Sequence, residues 1–205
     1  MKRLPNLLTG LRLALSLFVF FALAAAAGDL AGLDRGQSLR GLLEVWAFVA
    51  FVVAAVTDFF DGWLARRWNA TSIWGAILDP IADKVLVCAT ILGLMALAAS
   101  PQVAIPSALI LFREFAISAL REVTAGRGLS LPVTLLAKWK TTLQLFALGA
   151  ELVVAGWHGF RLPDDVGLLG AAALAAHTFL WLAAAVTLIT GGQYLWQARK
   201  ALAAG

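Results

Sequence analysis

The sequence predicts an all-α integral membrane protein with six spanning helices. Three observations carry that expectation. Apolar residues make up 61% of the 205 residues against 14% charged, and mean hydropathy is +0.87. A small globule has too little interior for such a chain, so the bilayer must act as its solvent. Six apolar stretches each supply the roughly 20 residues that a spanning helix needs. Backbone amides in hydrocarbon must be bonded within the segment, which leaves helices as the spanning form. The chain, 1–205, is read as a single six-helix transmembrane domain.

The first span runs from Thr9 to Gly28, after Lys2 and Arg3. Lys2-Arg3, the apolar run Leu13 to Leu23 and Ala24 to Ala27 also fit a cleaved signal peptide. Pro5, Asn6 and Arg12 interrupt that pattern, and a retained span gives the better charge asymmetry. The second span, Leu39 to Ala65, closes on Arg66 and Arg67. A short polar link leads to the third, Ile73 to Ala99, and Pro101 punctuates the turn into the fourth, Val103 to Val123. Arg121, Arg127, Lys138 and Lys140 bracket the loop into the fifth, Lys138 to Gly159. Pro163-Asp164-Asp165 precedes the sixth, Val166 to Gln197, and Arg199 and Lys200 follow it. With six spans these basic residues share one side. The opposite loops hold Arg35, Arg40 and Arg161, offset by Asp29, Asp34, Glu44, Asp164 and Asp165. Both termini are therefore expected in the cytoplasm. The single cysteine, Cys88, excludes an intrachain disulfide, and zinc-type spacing is absent. A net charge of +4 gives no reason to expect nucleic acid as a partner.

Four aspartates stand out in this apolar setting: Asp58, Asp61, Asp79 and Asp83. Ionisable side chains inside spans are expensive and mark function. At about 100° per residue, Asp58, Asp61, Gly62 and Ala65 share one face of the second helix. Gly75, Asp79 and Asp83 share one face of the third. The short link makes these helices expected antiparallel neighbours with their acids at one level. Bare carboxylates gathered there would repel, and a hard divalent cation removes that cost. An all-oxygen set points to Mg²⁺ or Mn²⁺. Four aspartates suit two ions, the arrangement used for in-line phosphoryl displacement. Gly62 and Ala65 leave room for a phosphate or nucleotide, and Arg66 is placed to pair with phosphate. The competing readings are a proton or ion relay, an Asp83–Lys84 pair, or a divalent-cation transporter. No internal repeat of the transporter kind is visible.

The run Asp58-x2-Asp61-Gly62-x2-Ala65-Arg66-x8-Gly75-x3-Asp79-x3-Asp83 resembles the signature of the CDP-alcohol phosphotransferase family, with every fixed position matched. The resemblance implies that family's six-helix fold, a homodimer, and a cytoplasmic-face site in a membrane such as the bacterial inner membrane. It implies that Asp58, Asp61 and Asp79 ligate two divalent ions. Asp83 would act as general base and also approach a metal. Gly62, Ala65 and Arg66 would contact the CDP-linked donor, with Gly75 giving close helix approach. Three further runs are similar to the branch that uses sn-glycerol 3-phosphate as acceptor. They are Leu4-Pro5-Asn6-Leu7-Leu8-Thr9-x2-Arg12, Arg113-Glu114-Phe115-x2-Ser118-x2-Arg121-Glu122, and Ala137-Lys138-Trp139-Lys140-Thr141-x2-Gln144. Ala137 departs from the glycine common there.

The expected reaction is transfer from CDP-diacylglycerol to sn-glycerol 3-phosphate by single displacement, releasing CMP. Cardiolipin, phosphatidylinositol phosphate and phosphatidylserine formation are the same chemistry with other acceptors. A phosphate-bearing acceptor needs its own anion site, expected at Arg113, Arg121 and Lys138, with Lys140 a further candidate although it projects elsewhere on its helix. The alternative pairs Arg113 with Glu114 or Glu122 and leaves the lysines as interfacial anchors. Arg12 either reaches the headgroup pocket or snorkels to the interface. The last span is expected to add only apolar character, with His177 packed rather than ligating. Ala-rich stretches at 22–27, 171–176 and 183–185 permit close helix packing.

Overall fold

The computed structural model describes the backbone of residues 4–28, 37–68, 73–128 and 135–203. Within these, the side chains of 4–6, 37, 59–68, 73–77, 79, 80, 135–138 and 203 lie outside the described residues. Six helices follow in order: α1 (Leu4–Ala26), α2 (Gln37–Trp68), α3 (Ile73–Leu97), α4 (Pro101–Gly126), α5 (Leu135–Ala155) and α6 (Val166–Ala203). No strand occurs among the described residues. Among the described residues, segments of α1, α2, α4 and α6 are long and apolar enough to cross a membrane. Helices α3 and α5 carry Asp79, Asp83 and Lys84, and Lys138, Lys140 and Glu151, within their lengths.

Local chemistry sets the helix ends. Ser100 caps α4 by accepting from the Gln102 amide at 3.2 Å, with Pro101 in the first turn where its missing N–H is harmless. Gly128, at φ +72°, turns the chain out of α4, and its amide donates to the Ala125 carbonyl. Asp165 caps α6, its Oδ1 accepting from the Gly167 and Leu168 amides at 2.7 and 3.1 Å.

The chain divides into two compact units. The first comprises 1–99 and 148–173, the second 100–147 and 174–205. In the first unit α1 packs against both α2 and α3, which touch each other only sparingly among the described residues. The Asp-bearing ends at which α2 and α3 are expected to pair lie largely outside the described residues. The buried stripe of α1 is Thr9, Arg12, Ser16, Val19, Leu23 and Ala26, alternating steps of three and four. Small residues let these helices approach: a Cβ on Gly93 would stand 2.5 Å from Leu23 Cδ1. Gly41 of α2 and Gly159 of the α5–α6 connection touch backbone to backbone, since a Cβ on Gly159 would stand 2.5 Å from the Gly41 carbonyl oxygen.

Burial is distributed as lipid immersion requires. Leu17, Phe18, Phe21, Val52, Val53, Phe112 and Leu188 face outward. Thr9, Arg12, Arg113, Lys140, Gln144, Thr187 and Thr190 face inward. Large apolar groups meet lipid while polar groups find partners inside.

Candidate active site

In the first unit, Arg12 joins two of the four sequence-predicted acids. Its side chain is only 1% exposed. Nη1 stands 2.5 Å from Asp58 Oδ1 and also donates to Asp83 Oδ1. The Arg12 carbonyl in turn accepts from Ser16 Oγ at 2.7 Å, tying the polar half of the α1 stripe together. Asp58 and Asp83 are 36% and 49% exposed, so these carboxylates line an accessible surface while their cation is sealed behind them.

Arg12 does not snorkel to the interface; it turns inward as the shared counter-ion of Asp58 on α2 and Asp83 on α3. Asp61, Gly62, Ala65 and Arg66 on α2 and Gly75 and Asp79 on α3 are helical, but their side chains lie outside the described residues. Among the described residues no three His, Cys, Asp or Glu side chains gather. The donor chemistry nonetheless suits a hard divalent cation. Carboxylates from two helices already turn one oxygen each toward a single positive group.

The second unit holds the opposite arrangement. Glu114 Oε1 accepts from Arg113 Nη1 at 3.3 Å, from Lys140 Nζ, and from Gln144 Nε2 at 3.4 Å. Arg113 Nη2 donates to Thr190 Oγ1 at 3.1 Å, and Gln144 Nε2 to Thr187 Oγ1 at 2.7 Å. Arg121 Nη2 donates to Tyr194 Oη at 2.8 Å and lies over that ring, 4.8 Å from its centroid. Arg113 stands 5.7 Å from the same centroid. Gly191 makes room for Arg113, whose Cγ would be 2.8 Å from any Cβ there. Arg113 Nε is buried and has no hydrogen-bond partner among the described residues.

Two sequence expectations change here. Lys140 does not project elsewhere; it meets the same acid as Arg113. Arg113 does pair with Glu114, as the alternative reading held, yet one acid serves two buried cations. Lys138 lies on α5 with its side chain outside the described residues. The last helix contributes more than apolar character: Thr187, Thr190, Gly191 and Tyr194 all reach this cluster. Their spacing of three and four along α6 is the signal that hydropathy alone obscured. A separate cleft of about 670 Å³ lies toward the N-terminal end of α2, lined by Arg40, Gly41, Glu44, His158, Gly159 and Arg161 among others. It holds none of the sequence-predicted site residues.

Residues 2–189 match the family model for CDP-alcohol phosphatidyltransferase. The chain is 41% identical to a CDP-diacylglycerol–glycerol-3-phosphate 3-phosphatidyltransferase of Rickettsia typhi, over 95% of this chain and 96% of that protein. It is 38% identical to the enzyme of the same name from Pectobacterium atrosepticum, over 97% and 96%. The identity to the one from Bacillus subtilis is 33%, over 98% of each.

Proposed function

The chain belongs to the CDP-alcohol phosphatidyltransferase family, and we propose that it transfers the phosphatidyl group of CDP-diacylglycerol to sn-glycerol 3-phosphate, giving phosphatidylglycerophosphate and CMP. The observation that carries this reading is the extent of the agreement. Enzymes named for that donor and acceptor align with nearly the whole chain and nearly the whole of their own length. The match therefore includes both the acidic cluster and the basic one.

In this reading all six helices cross a bacterial inner membrane, with both termini and the reacting groups on the cytoplasmic side. Asp58, Asp61 and Asp79 hold two divalent ions, Mg²⁺ or Mn²⁺, and Asp83 also reaches a metal. When bound, such ions offset the charge of the donor's diphosphate and of departing CMP. Gly62, Ala65, Arg66 and Gly75 admit and hold the CDP moiety. Asp83, half-exposed, accepts the proton of the acceptor hydroxyl. The acceptor oxygen bonds to the phosphorus bearing diacylglycerol as the bond to the CMP oxygen breaks, with no enzyme-bound intermediate.

Arg113, Arg121, Lys138 and Lys140 receive the acceptor's phosphate. The surplus of positive charge around Glu114 and the unpartnered Nε of Arg113 support this assignment. Purified protein in detergent, given CDP-diacylglycerol, Mg²⁺ and a panel of alcohols, is expected to release CMP and form phosphatidylglycerophosphate with sn-glycerol 3-phosphate, identified by mass. A preference for inositol phosphate, serine or phosphatidylglycerol would overturn the acceptor. Metal uptake without CMP release would overturn the chemistry.

A further inference from the structure

We infer that Arg12 is a built-in stand-in for the divalent cation: it neutralises Asp58 and Asp83 when no ion is bound, and an entering ion displaces it. Arg12 Nη1 contacts Asp58 Oδ1 at 2.5 Å and Asp83 Oδ1 as well. Those are oxygens from two different helices, and α1, which carries Arg12, lies against both. The guanidinium is almost wholly buried, whereas the two carboxylates are a third to a half exposed. The acids are thus open to a solute from their far side while their protein partner holds them from behind.

Two carboxylates left without a cation in such a setting repel each other and lose solvation. Arg12 removes that penalty in the ion-free protein. A divalent ion binding the same oxygens brings two more positive charges to the position Nη1 faces. An ion reaching those same Oδ1 atoms from the open side brings two positive charges up against the guanidinium, and that repulsion drives Arg12 off them. Ion affinity is then lowered by the fraction of time Arg12 holds the site, as for any ligand whose competent state is only partly populated. Displacement also frees a forked donor beside a site that receives a diphosphate, so a charge that guards the empty centre becomes available to the incoming anion.

This inference rests on the reading of Asp58 and Asp83 as ligands, and the experiment separates the two. Mn²⁺ binding to the full-length protein in detergent, without nucleotide, is followed by electron paramagnetic resonance. Binding that Asp58→Asn abolishes supports the ligand reading; no binding to the unaltered protein overturns it. Arg12→Gln is then expected to bind Mn²⁺ roughly tenfold or more tightly, because the competitor is gone. Weaker binding would mean that Arg12 merely shapes the carboxylates, and would overturn displacement. Should Arg12→Gln not be recovered folded, the unaltered protein decides. The Arg12 Nε–H resonance, assigned by its loss in Arg12→Lys, is expected to shift on titration with diamagnetic Mg²⁺. A resonance unmoved at saturating Mg²⁺ would show that the guanidinium stays in place, and the inference would fall.

Discussion

The two polar clusters are electrical inverses. Among the described residues, the Arg12 cation serves two acids, Asp58 and Asp83. Around Glu114 one acid serves two cations, Arg113 and Lys140, with Arg121 turned to Tyr194 instead of to a carboxylate. Inside a span an unbalanced charge costs about 2.5–3.5 kcal/mol even on the mildest scale. A chain that keeps two such imbalances of opposite sign has a use for each. The acidic surplus suits a divalent cation, and the basic surplus suits a phosphate. The reaction assigned to this family branch needs both, one for the donor's diphosphate and one for the acceptor.

Changing one residue at a time tests that contrast. The largest effect is expected at Asp83. Asp83→Asn keeps the shape but removes the carboxylate proposed as base, and kcat for CMP release should fall by about 10²–10⁴-fold. A fall of only a few-fold would move the proton to another group. Next comes Arg113→Gln, expected to raise KM for sn-glycerol 3-phosphate by about 10- to 100-fold while KM for CDP-diacylglycerol moves far less, because in the proposed assignment only the acceptor's phosphate loses a charge-assisted donor. Equal effects on both substrates would make the basic cluster a structural brace. The smallest change is Tyr194→Phe, which keeps the ring under Arg121 and removes the oxygen that accepts from it. It should cost about 0.5–1.5 kcal/mol, seen as a drop of a few degrees in the thermal midpoint and a severalfold rise in acceptor KM.

The helical class was legible because long apolar runs in hydrocarbon must bond their backbone within the segment. The helix ends were less so. Helix α2 begins at Gln37 and continues to Trp68, beyond the apolar run, because hydrogen bonding along a helix need not stop where hydrocarbon does. The acidic motif was legible because carboxylates inside spans are conspicuous. The partnership of Arg12 with Asp83 was not, since 71 residues separate them and no local pattern names a tertiary partner. One clue lay in α1, where Thr9, Arg12 and Ser16 fall on the stripe that continues as Val19, Leu23 and Ala26. An arginine in line with buried residues points inward. The roles of Thr187, Thr190 and Tyr194 were hidden for a similar reason: threonine and tyrosine barely dent the hydropathy of α6.

Helix α6, at 38 residues, is about 57 Å long. A bilayer is about 30 Å across its hydrocarbon and about 40–45 Å with headgroups, so even a tilted α6 outruns it and works as a ruler. Counted from Val166, Thr187, Thr190 and Tyr194 fall about 32, 36 and 42 Å along, past the reach of hydrocarbon alone. Arg199 and Lys200 lie farther still on the same unbroken helix, so one element carries both the greasy length of a crossing and the polar rungs beyond it.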